Sequence, residues 1–403
     1  MMTNRHPILA GRLVLAVLVL ASAATAQELP QPPLSPAPGA AAGREALDYA
    51  FRFASAIETD PKDRAKAQEA VVREYAAAGD IDQAVSQAGR IDGWRRGAVM
   101  ADLAAMLGGQ GRGEEAKRLL EQAEVAGKAE GSWEGQRVTA HVAHALGTIG
   151  EGERSRTIAT DIATQDRQYA GRSMASIAAG HAAAGEFAKA MEELAKLDKE
   201  TDFDATWWRT VGYLGVARQK GLTPRQRKQA LEAAHRSAAG IPGWKRAEAL
   251  ESIAEDLRKA GETAKARGTV KEAEEIILPL PDTMPIKAPL MSNLARAWAR
   301  LGEKDRARAL LEQAEAKTPS TLVIDQPGIY ANVASVYLTL DDASKAMRMY
   351  DMALTAAEGL VNARPRALAV VEICRSLGRQ GVTIPESMRA RLDALLGGLR
   401  DPW

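Results

Sequence analysis

The chain of 403 residues is poor in cysteine, in aromatic residues and in excess charge of either sign. Its one cysteine, Cys374, excludes an intramolecular disulfide framework, a multi-cysteine zinc site and a C-x-x-C redox centre. Aromatic residues make up only 4% of the chain while alanine and glycine abound, which favours closely packed helices over a β-sandwich core. With 53 Lys and Arg against 52 Asp and Glu, the chain has no charge excess that would hold nucleic acid or anionic lipid.

The first 26 residues have the layout of a secretion signal. Arg5 and Arg12 accompany an unbroken apolar run, Leu13–Leu20, and Ala24-Thr25-Ala26 has the small-x-small pattern of a signal-peptidase site. The mostly apolar stretch that ends at Ala26 has 14 residues, against the roughly 20 of a membrane-spanning helix, so a retained anchor is the disfavoured alternative. We predict a signal peptide over residues 1–26, cleavage after Ala26, and a secreted or periplasmic protein with no membrane span after cleavage.

The segment that follows, residues 27–44, contains five prolines and then a run of glycine and alanine with no large apolar side chain. Proline lacks the backbone N–H that a helix needs and favours extended geometry, so this segment is predicted to be a linker.

From residue 45 onward, a glycine recurs between two apolar helical patterns. These glycines are Gly79, Gly111, Gly150, Gly185, Gly221, Gly261, Gly302 and Gly381, with Asp341 in the equivalent place once. The intervals run from 32 to 41 residues, which suits one helical hairpin with its loops. Glycine at such a turn adopts, with little strain, the left-handed backbone that ends a helix. The sequence therefore predicts about eight to nine helical hairpins.

Alignment on the turns reveals a packing pattern. The position seven residues before the turn is mostly small, and the position four before it is mostly large and apolar, as in Ala104 and Leu107. Five residues after the turn stands an alanine in nearly every repeat, for example Ala84 and Ala116. Apolar residues at this spacing form one face of a helix, and small residues allow neighbouring helices to approach closely.

This register resembles the tetratricopeptide repeat, although the spacing is longer than 34 residues and the opening Trp of that repeat is mostly missing. The resemblance covers residues 45–403 and implies an all-α fold, a right-handed α-solenoid of stacked hairpins. It also implies binding of peptides or the assembly of protein complexes. In such a solenoid, helices at residues 45–57 and 385–399 are expected to cap the two ends.

Few residues suggest chemistry. His141 and His144 are three apart on one helix, a spacing that can present two imidazoles to a metal, but no third ligand accompanies them. His181 lies on the apolar stripe and is predicted to be a core residue. The glycine-rich run at residues 108–113 lacks the P-loop Lys-Ser/Thr and is predicted to be a helix-ending turn. No cofactor, no metal and no catalytic motif is predicted.

Aromatic and basic residues recur where first helices begin: Trp94 with Arg95, Trp133 with Arg137, Tyr169 with Arg172, Trp208 with Arg209, and Trp244 with Lys245. Two interpretations are open. The row is either a set of staples between hairpins, because buried Trp contributes large contact area, or a row that contacts a ligand.

Two functions are compatible with these features. The first is an exported scaffold that binds a protein or peptide partner of the cell envelope, without nucleic acid, along the concave face of the solenoid. The second is an envelope glycan-binding or polysaccharide-processing protein that uses Trp faces and the carboxylates of Glu248, Glu251 and Glu255. In the tetratricopeptide-like register, the positions thirteen and six before the turn face the groove. They predict a partner-binding set of Arg73, Arg137, His144, Arg172, Trp208, Arg296 and Arg375. The oligomeric state stays open.

Overall fold

A computed structural model describes residues 40–399, except 132, 166 and 200–202. The predicted signal peptide and most of the predicted linker lie outside the described residues. In the described ranges the chain is all-α, which confirms the predicted fold class, and these residues lie in one compact unit. The helices are α1 Ala40–Ser55, α2 Pro61–Ala77, α3 Ile81–Ala88, α4 Trp94–Gly109, α5 Gly113–Ala129, α6 Trp133–Thr148, α7 Gly152–Gln165, α8 Arg167–Ala183, α9 Phe187–Ala195, α10 Phe203–Ala217, α11 Pro224–Ala238, α12 Gly243–Lys259, α13 Thr263–Ile277, α14 Lys287–Arg300, α15 Lys304–Lys317, α16 Gln326–Thr339, α17 Ala343–Glu358, α18 Ala363–Arg379 and α19 Glu386–Gly397.

The predicted turns separate first helices from second helices. All eight turn glycines have positive φ, between 63° for Gly381 and 93° for Gly150. Asp341, predicted to stand in for glycine, has φ 63° and is the one non-glycine residue with positive φ among the described residues. Its neighbour Asp342 caps α17, because the Asp342 side chain accepts a hydrogen bond from the Lys345 backbone N–H.

The predicted packing positions are buried. The residues seven before the turn, including Ala104, Ala143 and Cys374, are at most 3% exposed. The positions four before the turn and five after it are equally enclosed, and Ser155 replaces the alanine once, donating a hydrogen bond to the Ala143 carbonyl at 2.6 Å. These small residues explain how a chain with few aromatics builds a continuous core between closely spaced helices.

The first helices form a closed ring. Every first helix from α2 to α16 packs against the next first helix along the chain. The last first helix, α18, packs back against α2. We call this cycle of nine described helices the helix ring. The second helices lie outside the helix ring. Each packs against the first helix of its own hairpin and against the first helix of the next hairpin, and much less against other second helices.

The closing hairpin is composite. The chain passes from α18 to α19, but α19 does not pack back along α18; α1 fills that place instead and packs against α18 as closely as second helices pack in the other hairpins. Gly43 of α1 lies against Gly378 of α18, which stands three residues before the turn glycine. In the α6–α7 hairpin, Ser155 of the second helix lies against Gly147 at the same position of the first helix. The hydroxyl of Tyr75, on α2, donates a hydrogen bond to Asp48 of α1 at 2.5 Å. The N-terminal helix therefore joins the two ends of the repeat.

This closure corrects two expectations. Residues 40–44, predicted to end the linker, are the first residues of α1, and Gly43 lies directly against Gly378 of α18. The helix predicted as an N-terminal cap is instead a buried wall: Leu47, Ala50 and Phe53 are at most 1% exposed. The C-terminal helix α19 lies outside α1, where Arg389 pairs with Glu45 at 2.7 Å and Asp393 accepts a hydrogen bond from Tyr49 at 2.8 Å.

The helix ring has two different edges. We call the edge with the positive-φ glycines the turn edge, and the edge where each second helix leads to the next first helix the junction edge. The N-terminus of α1 lies at the turn edge, since Gly43 contacts Gly378 there. No described helix is long and apolar enough to cross a bilayer.

Candidate functional site

The inner face of the helix ring carries a chain of polar contacts across four first helices. Arg73 of α2 pairs with Asp102 of α4 at 2.5 Å, and Asp102 accepts a hydrogen bond from His141 Nδ1 of α6 at 2.7 Å. The other imidazole nitrogen, Nε2, accepts a hydrogen bond from Arg172 of α8. Arg73 also pairs with Glu69 at 2.9 Å. Two residues of the predicted partner-binding set, Arg73 and Arg172, are thus connected through Asp102 and His141, which do not belong to that set.

The charge states follow from this enclosure. Burial would raise the pKa of Asp102, but the charge of Arg73 and the hydrogen bond from His141 hold it well below its ordinary value. Burial, and secondarily the charge of Arg172, lower the pKa of His141, and burial lowers that of His144. At neutral pH Asp102 is therefore an anion and both imidazoles are neutral.

The same contacts bear on the metal hypothesis for His141 and His144. Both ring nitrogens of His141 are used by Asp102 and Arg172. Among the described residues, no group of three or more His, Cys, Asp or Glu side chains could hold a metal ion. His181 is buried, as predicted, and its Nδ1 is 2.6 Å from a carboxylate oxygen of Glu186.

Arg375 has a different place from the one predicted. It is 8% exposed and pairs with Glu74 of α2 at 2.9 Å and with Glu372 at 2.6 Å. Arg379, one turn later, pairs with the same Glu74 carboxylate. Arg375 therefore belongs to the seam between the last and first hairpins and is not exposed in a groove.

Arg296 of α14 is held by uncharged side chains of α16. Its guanidinium donates hydrogen bonds to the amide oxygen of Asn332 and, at 3.0 Å, to the hydroxyl of Ser335, both on α16. It makes no ion pair with any carboxylate in the part of the chain that the structure describes. Burial and the nearby charges of Arg379 and Arg300 lower the pKa of Arg296 to about 10. The guanidinium still carries a full charge at neutral pH, held by neutral partners only.

The three glutamates of α12 have unequal surroundings. Glu248 pairs with Lys245 at 2.9 Å, and Glu255 pairs with Arg258 at 2.9 Å and with Arg300 at 3.5 Å. Glu251 pairs with none, and its Oε1 is buried without a hydrogen-bond partner. Burial and the charge of Glu248 raise the pKa of Glu251 to about 8, and the charge of Arg296 opposes this rise. Glu251 and Arg296 are thus neighbouring groups, of which Glu251 has a buried oxygen without a hydrogen-bond partner and Arg296 is hydrogen-bonded to uncharged side chains.

Glu251 predicts a pH dependence of stability. A carboxyl whose folded pKa lies near 8 instead of its ordinary 4.5 binds its proton more tightly in the folded state, so its contribution is complete below pH 4.5 and lost as the pH rises through 8. Glu251→Gln keeps a neutral side chain at every pH. We expect the variant to gain stability relative to the wild type between pH 5 and pH 9, measured by urea unfolding. The raised pKa of Glu251 would be contradicted if the difference in unfolding free energy between variant and wild type were the same at pH 5 and pH 9. It would also be contradicted if Glu275→Gln, on the exposed face of α13, had an equal effect.

Part of the aromatic and basic row forms contacts between adjacent hairpins. Trp94 and Trp133 of adjacent hairpins meet edge to face, 6.1 Å between ring centroids, and the Arg137 guanidinium lies 5.2 and 4.9 Å from the two indoles. Arg172 lies 5.6 Å from the Trp208 indole, which is 8% exposed. Each of these indoles therefore has a cation against one of its faces. Tyr169 lies outside the described side chains.

Sequence reasoning missed the row nine residues before the turn. This position holds Asp102, His141, Ser176, Ser252, Asn293, Asn332 and Glu372, and it is polar in most repeats. Asp102 with His141, and Asn293 with Asn332 at 2.9 Å, bond to each other across adjacent first helices. The sequence does contain a signal for this row. The row is polar in most repeats, and it lies three residues from the row six before the turn and four from the row thirteen before the turn, so the three rows share one helix face.

Comparisons with known proteins agree with the repeat architecture. A tetratricopeptide repeat model matches residues 97–123 and 290–314, which lie in the hairpins α4–α5 and α14–α15. No curated protein matches the chain.

Several solved structures align with the chain at low identity and low TM-score. A chain of the APC/C hetero-tetramer Cut9-Hcn1 is 14% identical with a TM-score of 0.31, and the match covers 83% of this chain and 59% of that one, less than two thirds of its length. The human IFIT1 dimer with m7Gppp-AAAA is 13% identical with a TM-score of 0.29, covering 91% and 86%. A circular tandem repeat protein with novel repeat topology is 14% identical with a TM-score of 0.22, covering 89% and 96%. The chain is a tetratricopeptide-like helical repeat protein.

Proposed function

We propose that this protein is an exported, non-catalytic interaction scaffold of the cell envelope that binds a carboxylate-bearing segment of a partner protein at the inner face of the helix ring. Arg296 is the anchor for the carboxylate. Arg172 and Arg137 of the predicted set lie on the same face, stacked on Trp side chains. Export is supported by the layout of residues 1–26 alone.

The observation that carries the proposal is the set of partners around Arg296. The inner-face acids nearest in register, Glu248 and Glu255, are already neutralised by Lys245 and by Arg258. Arg296 is left with the Asn332 amide and the Ser335 hydroxyl, which can yield to or share with an incoming carboxylate. A guanidinium binds a carboxylate through two parallel hydrogen bonds, each stronger than a neutral one. The site thus fits an anion of this shape.

The closed helix ring limits how a partner reaches this site. An open solenoid can receive an extended segment along its whole concave face, whereas a closed ring can be entered only along its axis, by a chain end or a narrow loop. A C-terminal chain end brings its own carboxylate. It also has an amide N–H that could satisfy the buried Oε1 of Glu251. The geometry therefore favours a free C-terminus over an internal acidic segment.

The test uses the protein purified from the exported fraction, whose first residue is expected to be Gln27. Binding to a library of C-terminal hexapeptides is compared with binding to the same peptides amidated at their C-terminus. Arg296→Gln should weaken binding of the free-carboxylate peptides by about 10- to 100-fold, because a hydrogen bond to a charged group contributes about 1.5 to 3 kcal/mol.

The matched control is Arg308→Gln, on the outer helix α15, whose side chain is 43% exposed and paired with Asp305. It should leave binding unchanged, and thermal melts should show both variants folded. Equal binding of amidated peptides, an equal loss in Arg308→Gln, or retention of envelope glycans in place of peptides would overturn the proposal.

A further inference from the structure

The exposed large apolar side chains lie at one edge of the helix ring. Those in the described ranges are Val125, Trp133, Phe203, Leu278, the segment 322–324 and Val361. Trp133 and Phe203 are the first residues of α6 and α10, and Val125 lies near the end of the second helix α5. The remaining members lie in the connections from α13 to α14, α15 to α16 and α17 to α18. Every one is at the junction edge.

The turn edge has the opposite character. Within the described part of the chain, none of the exposed large apolar residues lies there. Its short connections contain residues such as Gly79-Asp80, Gly261-Glu262 and Gly302-Glu303, which are glycine and carboxylates. A random distribution of surface apolar groups would not separate in this way, and exposed apolar surface that is concentrated on one face marks an interaction site.

The exposed apolar side chains of the junction edge extend around the helix ring. These residues lie at five of the connections between hairpins, from α5–α6 to α17–α18, so they are spread along much of the circumference. The most prominent group is the segment 322–324, whose three side chains are 54 to 60% exposed. A short peptide could cover one of these groups but not all of them. The occupant must have a face about as wide as the helix ring.

The charges at the junction edge distinguish among wide occupants. Opposite signs alternate within single connections: Arg90 with Asp92, Lys128 with Glu130, and Lys317 with Asp325. An anionic membrane surface is attracted by an excess of basic residues, which these connections lack. A surface with both signs interspersed among apolar groups is instead complementary to another copy of itself, as a two-fold interface requires.

We propose that two copies of this chain pack junction edge to junction edge, as a face-to-face pair of helix rings related by a two-fold axis. Closure of the ring supports this arrangement, because α1 covers the helix face of α18 that an open repeat would offer for end-to-end association. The pairing would align the two inner faces along one axis.

Sedimentation velocity of the purified full chain tests this pairing. We expect a species of twice the chain mass at micromolar concentration. The variant Leu322→Asp with Ile324→Asp should raise the dimer dissociation constant at least 100-fold, because four charges would be buried in each dimer without partners. The matched control, Gly113→Asp with Thr263→Asp, adds the same charge at the turn edge, where both residues begin second helices and are exposed. It should leave the dimer intact.

Three outcomes would overturn the pairing. They are a wild-type chain that sediments as a monomer throughout, a dimer that the turn-edge control dissociates as strongly, and a monomer that binds anionic vesicles through Leu322 and Ile324. Since both edge variants leave Arg296 unchanged, the carboxylate-peptide assay on the same samples distinguishes failure of this inference from failure of the proposed function.

Discussion

Gly43→Ala is expected to lower the free energy of unfolding by about 1 to 3 kcal/mol, although alanine is the better helix former by about 1 kcal/mol. A Cβ at this position of α1 would lie 3.1 Å from the carbonyl carbon of Gly378 and 3.2 Å from its Cα, with the carbonyl oxygen nearer still. These are backbone atoms of α18, which cannot rotate away as a side chain could. The substitution must separate α1 from α18 at the seam that closes the helix ring.

The matched control is Gly268→Ala in α13. Gly268 is also helical, but a Cβ there would meet no atom within 4 Å. Without a steric cost, only the loss of unfolded-state freedom and the better helix propensity remain, so this variant should gain about 0.5 to 1 kcal/mol. The two glycine-to-alanine changes are thus expected to have opposite signs, which urea unfolding of the full chain measures directly.

Hydrogen exchange locates the damage from Gly43→Ala. In a repeat protein each hairpin contacts only its neighbours, so a weakened seam should release α1 and α18 while hairpins on the far side, such as α8–α9, stay protected. A stability equal to the wild type, or a uniform loss of protection along the chain, would show that α1 does not close the ring.

The hairpins could be predicted from sequence because their determinants are local. Gly79 and Asp341 mark turns through backbone φ, and the small residues Ala104 and Ala143 mark the helix face within the same hairpin. Each of these requirements concerns residues in one repeat or the next. A single repeat therefore contains most of the information about its own packing.

Closure of the ring could not be predicted in this way. It depends on the sum of small rotations between successive hairpins, which no single repeat encodes, and it joins Arg375 to Glu74, 301 residues apart. A terminal helix of a repeat array is expected to keep one face toward water, and nothing in residues 45–57 identifies the helix that covers them. Gly43 and Gly378 become meaningful only once they face each other.

The contacts of the candidate side chains could not be predicted from sequence. The rows six and thirteen before the turn did place Arg73, Arg172 and Arg296 in polar contacts between first helices. Which of them would be neutralised depended on acids from other helices, such as Asp102 and Glu74. The curvature of the helix ring determines how close these acids lie to each arginine. The sequence alone therefore could not show that Arg375 pairs with a carboxylate whereas Arg296 contacts neutral side chains.

Glu74→Ala is expected to be the most damaging single change of charge, at about 3 to 5 kcal/mol of unfolding free energy. Glu74 is 5% exposed and pairs with Arg375 and Arg379, both on α18. Removal of the carboxylate takes this partner from both guanidinium groups and leaves Arg375 with Glu372, and a charge that loses a partner in an enclosed seam is strongly disfavoured. Glu312→Ala on the outer face, where the carboxylate is 63% exposed and 3.9 Å from Lys345, should cost at most about 1 kcal/mol.

The pH dependence separates this ion pair from simple loss of packing. Burial would raise the pKa of Glu74, but the charges of Arg379 and Arg375 hold it below its ordinary value. A depressed carboxyl pKa contributes stability above its unfolded value of 4.5, and that contribution is lost as the pH falls through the folded pKa. The difference between wild type and Glu74→Ala should therefore be greatest at neutral pH and shrink as the pH falls below 4.5. A loss that stays constant down to pH 3, or a loss below 1 kcal/mol at pH 7, would mean that the seam is held by apolar packing of α1 and α18 and not by this carboxylate.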